Sequence, residues 1–475
     1  MKKVFSLLVL SCLVLASHAQ SVYICKDGDY IKKDISEGLT IDLEEVPDSI
    51  TFNKPALPIV VEIVYKDTEA SVTIPHSVRD SVTCTRVNGL NSYVYIEYKG
   101  KSDEIIYNVT GHSTNGSLVI KSDYKMQVNL NNVTLNSTCG EAMRFKCNKR
   151  VALVMAEGSV NTFTDSNDNG VTPDPLDGHK ACIYTKGHIE LSGAGTLNVT
   201  GNYNHAIATK EYIKVKKTVK AINILGAVND AIHAGQYFQM NGGTINIDGN
   251  TIGDGIQVEF KTDDLGAFVE DEENTGEVVI TNGTINVTMA ANPNPDPDAT
   301  DPYQDTKCIK ADGNVTITGG TLVLNATANG SRGIQADGTL TIDQAEDVTT
   351  NITIYAEGGK CTLKTDKDDP DKCMGINVNR DITISGGTIK ITASGTSANG
   401  MKADRDITIE GGDITIEATG DRSNGMKIGN NVTVTGGNTL VINPETAFLS
   451  KGIVYSGKKN VIEGTVTASW FKKTN

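Results

Sequence analysis

The feature that most limits how this chain can fold is a repeat of 24 or 25 residues. Asn-Gly-Met-Lys begins at Asn399 and again at Asn424, and each copy leads through an Ile-Thr or Val-Thr pair to Gly-Gly. With Met401 and Met426 as the reference position, Ile183, Ile207, Ile232, Ile256, Ile309, Ile334 and Ile376 occupy the same place, and Met143 and Ile453 extend the series. The spacings are 24, 25 and 24 from Ile183 to Ile256, and 25 from Ile309 to Ile334. Each unit also carries an alternating strand, a Gly corner and a second alternating strand, as in FQMNGGTINIDG and ITIEGGDITIEA. Alternation with period two is the mark of β structure. Three short strands and their corners fill one such unit, and stacked units bury a continuous core. A propeller blade needs about 40 residues or more, too many for this period. The expectation is therefore all-β: a right-handed parallel β-helix of about ten to eleven coils over residues 105–475. Residues 20–104 lack the period and are expected to form a small β-rich region capping the first coil, because an open coil end is an exposed sheet edge.

Composition agrees. Aromatics are 5% of the chain, glycines number 47, and Val, Ile and Thr recur, which favours strands and tight turns. Residues 1–19 read as a cleaved signal peptide: Lys2 and Lys3, an apolar run from Val4 to Ala16, then Ser17-His18-Ala19. That run is too short to span a membrane, and no other stretch is long enough. Export to periplasm, cell surface or medium follows, with a monomer favoured. The formal net charge of −15 argues against nucleic acid and anionic membranes and suits a chain that holds divalent cations. Cys139/Cys147 and Cys361/Cys373 lie close enough in sequence to close small loops, whereas Cys182 and Cys308 stand where other units have Gly or Ala and read as buried thiols.

Four polar insertions interrupt the period, beginning at Asp165, Thr262, Met289 and Leu363. Such insertions tend to gather on one face of a solenoid, often the binding face. The first matches the opening half of an EF-hand loop at Asp165, Asn167, Asn169 and Gly170, but Leu176 stands where that loop requires Glu.

Stacking turns sequence period into columns about 4.8 Å apart. Asp230 and Asp254 both stand two before the reference residue, a pair of carboxylates that one Ca²⁺ ion would bridge. A second acidic column stands three after it: Glu259, Asp312, Asp337 and Asp404, with Asn379 among them. The plainer reading is corner chemistry, since Asn399 and Asn424 share the first column and Asp and Asn both suit turns. Immediately after the reference come His233, Gln257, Lys310, Gln335, Asn377, Lys402 and Lys427, a polar ridge suited to an extended polar ligand. Lys402 and Lys427 are adjacent like charges that prefer an anionic partner, either a glycan or the neighbouring Asp column. Tyr184 and the other aromatics of the middle coils are candidates for stacking on sugar faces. HExxH, GxSxG and P-loop motifs are absent, and the scattered histidines suggest no triad.

The units DGIQVE, CIKADGNVTITGG and GMKADRDITIEGG, together with GAGTLNVTG, resemble the secreted bacterial carbohydrate-binding β-helix family over residues 105–470. That resemblance implies calcium binding, association with polysaccharides including acidic sugars, and a likeness in shape to the family 9 pectate lyases. The lyase likeness carries an alternative: calcium-assisted β-elimination, with Lys310 as the base beside an ion at Asp230 and Asp254. The lyases carry neighbouring aspartates in the calcium coil, and this chain has Gly253 before Asp254. The expected function is calcium-supported binding of polysaccharide, particularly acidic glycans. The second alternative is a structural or adhesive surface protein.

Overall fold

The structure is a computed structural model that describes residues 21–34 except 27, 49–51, 57–167 except 88, 178–289 except 264, 306–361, 371–442 and 451–455, and short strands between 460 and 473. The expected signal peptide lies outside the described residues, as do the tips of the insertions at Asp165, Met289 and Leu363. Among the described residues no helix is long and apolar enough to cross a membrane.

Almost every element is a strand, and the dominant pairing is parallel. Each unit contributes one strand to each of three sheets. In one coil, Ile256–Val258 lies in a sheet called here the third, Glu277–Ile280 in the first, and Thr284–Met289 in the second; Lys307–Ala311 then returns to the third. The long strand Met126–Asn136 bends through a corner. Its first half pairs with Val151–Met155 of the first sheet and its second half with Val160–Thr164 of the second.

The reference residues face inward, as the repeat demands. Ile183, Ile207, Ile232, Ile256, Ile309, Ile334, Ile376, Met401 and Met426 follow one another in register along the third sheet. All are at most 1% exposed and share one continuous apolar core. Where glycine precedes the reference residue, close approach rather than a turn favours it: a Cβ on Gly400 would lie 2.4 Å from Ile416 Cγ2 and 2.6 Å from the Gly425 carbonyl. The corners use Gly-Gly instead, and Gly412 supplies the left-handed residue with φ +85°.

The parallel ladder reaches further back than the boundary expected at residue 105. Ile59–Lys66 pairs parallel with Ile105–Ser113, and Tyr93–Tyr98 pairs parallel with Ser117–Ser122. Two antiparallel neighbours, Glu69–Thr73 and Val82–Arg86, hid this incipient coil from the period. A separate antiparallel sheet of Ser21–Lys26, Asp29–Asp34 and Ser49–Thr51 precedes it. Cys182 and Cys308 are buried thiols as expected, but Cys147 is also a buried thiol, its Sγ 3.3 Å from the Tyr124 carbonyl, so it forms no bridge to Cys139.

Candidate functional site

The +1 position of every unit falls in one outward column on the third sheet. Register carries it from Tyr184 through Ala208, His233, Gln257, Lys310, Gln335, Asn377 and Lys402 to Lys427. The four insertions border this sheet. Those at Asp165, Met289 and Leu363 lie between a second-sheet strand and the next third-sheet strand, and that at Thr262 lies just after one. The insertions are thus attached at both edges of the sheet that carries the polar ridge.

Its members differ in what they offer. Lys310 and Gln335 are part-exposed and Lys427 is exposed. Lys402 is drawn to Asp404, with Nζ 2.9 Å from Oδ1, as the plainer reading anticipated. Gln257 is 8% exposed and donates to Glu259. Tyr184 departs from expectation. It is 6% exposed, packs against Ala181 and Ala208, and lies under the Arg144 guanidinium at 5.4 Å, so it presents little face to a sugar. Arg144 is itself anchored by a buried ion pair, 2.6 Å from Glu141.

The expected calcium pair is built differently. Asp230 Oδ1 accepts the Asp254 backbone N–H at 2.9 Å, and Asp254 Oδ1 accepts that of Lys307 at 2.7 Å. Each carboxylate therefore ties its corner to the next coil, and burial pushes the Asp254 carboxyl up to about 6. The remaining Asp230 oxygen meets two imidazoles, His205 Nδ1 at 3.1 Å and His233 Nδ1 at 3.0 Å. Calcium prefers about six to eight oxygen ligands, and this donor set does not fit it.

The second acidic column is also partly engaged. Asp312 Oδ2 accepts the Phe260 N–H, and Asp337 Oδ1 accepts the Asn379 amide at 2.8 Å. Burial raises the Asp312 pKa. Asp312 and Asp337 line a shallow cleft with Asn314 and Arg380, each keeping a second carboxylate oxygen. Glu259 turns the other way, its Oε2 3.9 Å from His233 Nε2. Asp165 is no EF-hand ligand: it is buried and pairs with His179 at 2.8 Å.

His205 is the part of the site that the sequence did not single out; it joins His233 of the ridge. Their rings stack at 4.4 Å on the floor of a cleft of about 270 Å³, which Lys180, Lys210, Glu259, Phe260 and Lys261 also line. Burial would raise the Asp230 pKa, but the two imidazoles that face its carboxylate leave it well below the usual carboxylate range. Burial lowers the His205 pKa; for His233, the hydrogen bond to Asp230 outweighs burial and raises it. The signal available was indirect: His205 and Asp230 stand at −2 in successive units, and His233 at +1.

A family model described as "Carbohydrate-binding domain-containing protein" matches residues 91–346 and 279–421, more than half of the chain. A protein of that description from Acetivibrio thermocellus is 28% identical over 122 residues. That alignment covers 24% of this chain, and the chain spans only 42% of the relative's length. Among solved structures, a polysaccharide lyase-like protein from C. thermocellum, studied as a gadolinium derivative, aligns over 61% of this chain and 98% of its own, with TM-score 0.47 and 21% identity.

Proposed function

The chain belongs to the family of carbohydrate-binding domain-containing proteins, and from that premise we propose that it binds an anionic polysaccharide along the outer face of the third sheet. One observation carries this reading: a single register column holds Gln257, Lys310, Gln335, Asn377, Lys402 and Lys427, bordered by all four insertions. From His233 to Lys427 the column runs for about 29 Å at ~4.8 Å per coil, a length suited to several sugar residues.

The negative charge assigned to the glycan rests on where cations gather. In a chain of net charge −15, Lys180, Lys210 and Lys261 line one cleft, and Lys310 stands two coils beyond His233 on the same column. Calcium support is placed at Asp312 and Asp337, whose second oxygens supply hard donors beside the ridge. When bound, the ion would neutralise those carboxylates and bridge to a uronate. The chain's own part is to orient the polymer through amides and ammonium groups. Export to the periplasm, surface or medium, as a monomer, completes the proposal.

Affinity electrophoresis tests it. Retardation in polygalacturonate gels should exceed that in neutral glucan gels and fall when calcium is chelated. Oligogalacturonate affinity should rise with length until the column is spanned. Equal retardation in both polymers would remove the anionic reading. Release of unsaturated uronate, lost in Lys310→Ala, would instead favour the lyase alternative.

A further inference from the structure

We propose that His205, Asp230 and His233 bind a divalent transition metal ion, zinc by the chemistry of the donors. The three ligand atoms, two Nδ1 and one carboxylate oxygen, lie within 4.8 Å of one another. Zinc binds imidazole nitrogen at about 2.0–2.1 Å and carboxylate oxygen at about 2.0–2.2 Å, tetrahedrally, which sets neighbouring donors about 3.3 Å apart. Asp230 Oδ2 is already 3.1 and 3.0 Å from the two nitrogens. The two nitrogens lie within 4.8 Å of each other, so the imidazoles would draw together toward the tetrahedral spacing as the ion enters.

Hydrogen bonding alone leaves this cluster incompletely satisfied. Both imidazoles aim the same ring nitrogen at one oxygen. His233 makes a hydrogen bond there, whereas His205 Nδ1 is buried without a hydrogen-bond partner. Two cationic rings stacked at 4.4 Å would repel each other. An ion resolves the arrangement by taking a lone pair from each neutral imidazole and charge from the carboxylate.

The surroundings match what a ligating triad needs. Ligation through Nδ1 leaves Nε2–H to be held by an acceptor, and Glu259 Oε2 lies 3.9 Å from His233 Nε2. Asp230 is oriented by the Asp254 N–H on its other oxygen. His205 begins the third-sheet strand His205–Thr209, and on the adjoining coil Asp230 precedes and His233 lies within Ile232–Ala234. Two nitrogens and one oxygen select zinc, cobalt or nickel over calcium. A three-residue set leaves a fourth position, open to the cleft, for water or a glycan oxygen.

The test uses the untagged full chain, stripped of metal, titrated with Co²⁺ and then Zn²⁺. One equivalent of Co²⁺ should produce the visible absorption of a four-coordinate ion, and Zn²⁺ should abolish it. Zn²⁺ should also raise the Tm of the wild type. His233→Gln, which keeps a hydrogen-bonding group toward Asp230, should lose the absorption and weaken Zn²⁺ at least about 100-fold while its metal-free melt is unchanged. Glu259→Gln should weaken Zn²⁺ about tenfold. No cobalt spectrum in the folded wild type, or Zn²⁺ affinity unaltered in a folded His233→Gln, would overturn the assignment. So would a preference for Ca²⁺ at this site. Neither result touches the polysaccharide reading, which rests on the ridge.

Discussion

Neighbouring residues in this chain have opposite duties, and substitutions should separate them. Ile334 is wholly buried, while the adjacent Gln335 is part-exposed on the outer column. Ile334→Ala should cost about 2–4 kcal/mol through lost burial and the cavity left behind. Gln335→Ala should change stability by less than about 0.5 kcal/mol but weaken polysaccharide binding. Chemical denaturation beside affinity electrophoresis checks the contrast. Equal stability losses would mean that the column is structural. Both orientations were legible in the sequence, because period two along a strand fixes which side each residue faces. The roles of Asp230 and Asp254 were not. Sequence placed them in a column, but which oxygen accepts which N–H depends on the corner's backbone, and that turned an expected calcium bridge into two inter-coil hydrogen bonds and a histidine cluster. Tyr184 failed as a stacking residue for a similar reason, since nothing local announced that Arg144 would cover it.

Among the described residues, the insertion after Ile256–Val258 is a loop with extensive internal bonding. Asn274 bonds the carbonyls of Lys261 and Val269 and receives the Lys261 N–H, while Phe260 and Phe268 meet edge to face at 5.5 Å. Lys261 Nζ then reaches Glu211 at 3.0 Å on another coil, and His188 contacts the same carboxylate at 3.1 Å. Burial alone would raise the Glu211 pKa, but hydrogen bonds from His188 and Lys261 lower it below the ordinary 4.5. A depressed carboxyl stabilises the fold above its unfolded pKa and loses that contribution as pH falls through the folded value. Glu211→Gln should therefore cost about 1 kcal/mol at pH 7, and progressively less as pH falls from the unfolded carboxyl's ordinary range through the lowered folded value. Thermal melts of both proteins across that range measure the difference, and a gap independent of pH would show that the ion pair contributes nothing. The presence of this loop was plain from its composition, but its tether was not, because Glu211 and Lys261 are 50 residues apart. The first coil escaped detection for a topological reason. Antiparallel pairing at Glu69–Thr73 and Val82–Arg86 interrupts it, so Ile59–Lys66 carries no period.

At the scale of the molecule, the repeat does two things. Inward residues make one core that runs the length of the stack, and outward residues make a column whose spacing is fixed by backbone hydrogen bonding. The second sheet's outer face offers a built-in comparison. Lys390 stands there, exposed, in a register column of its own with Thr353 and Thr415. The most direct measurement is retardation in polygalacturonate gels of the wild type, a Lys310→Ala/Gln335→Ala protein and a Lys390→Ala protein. The account predicts that the third-sheet variant runs nearly unretarded while Lys390→Ala is held like the wild type. Retention of the third-sheet variant, or loss through Lys390→Ala instead, would contradict it.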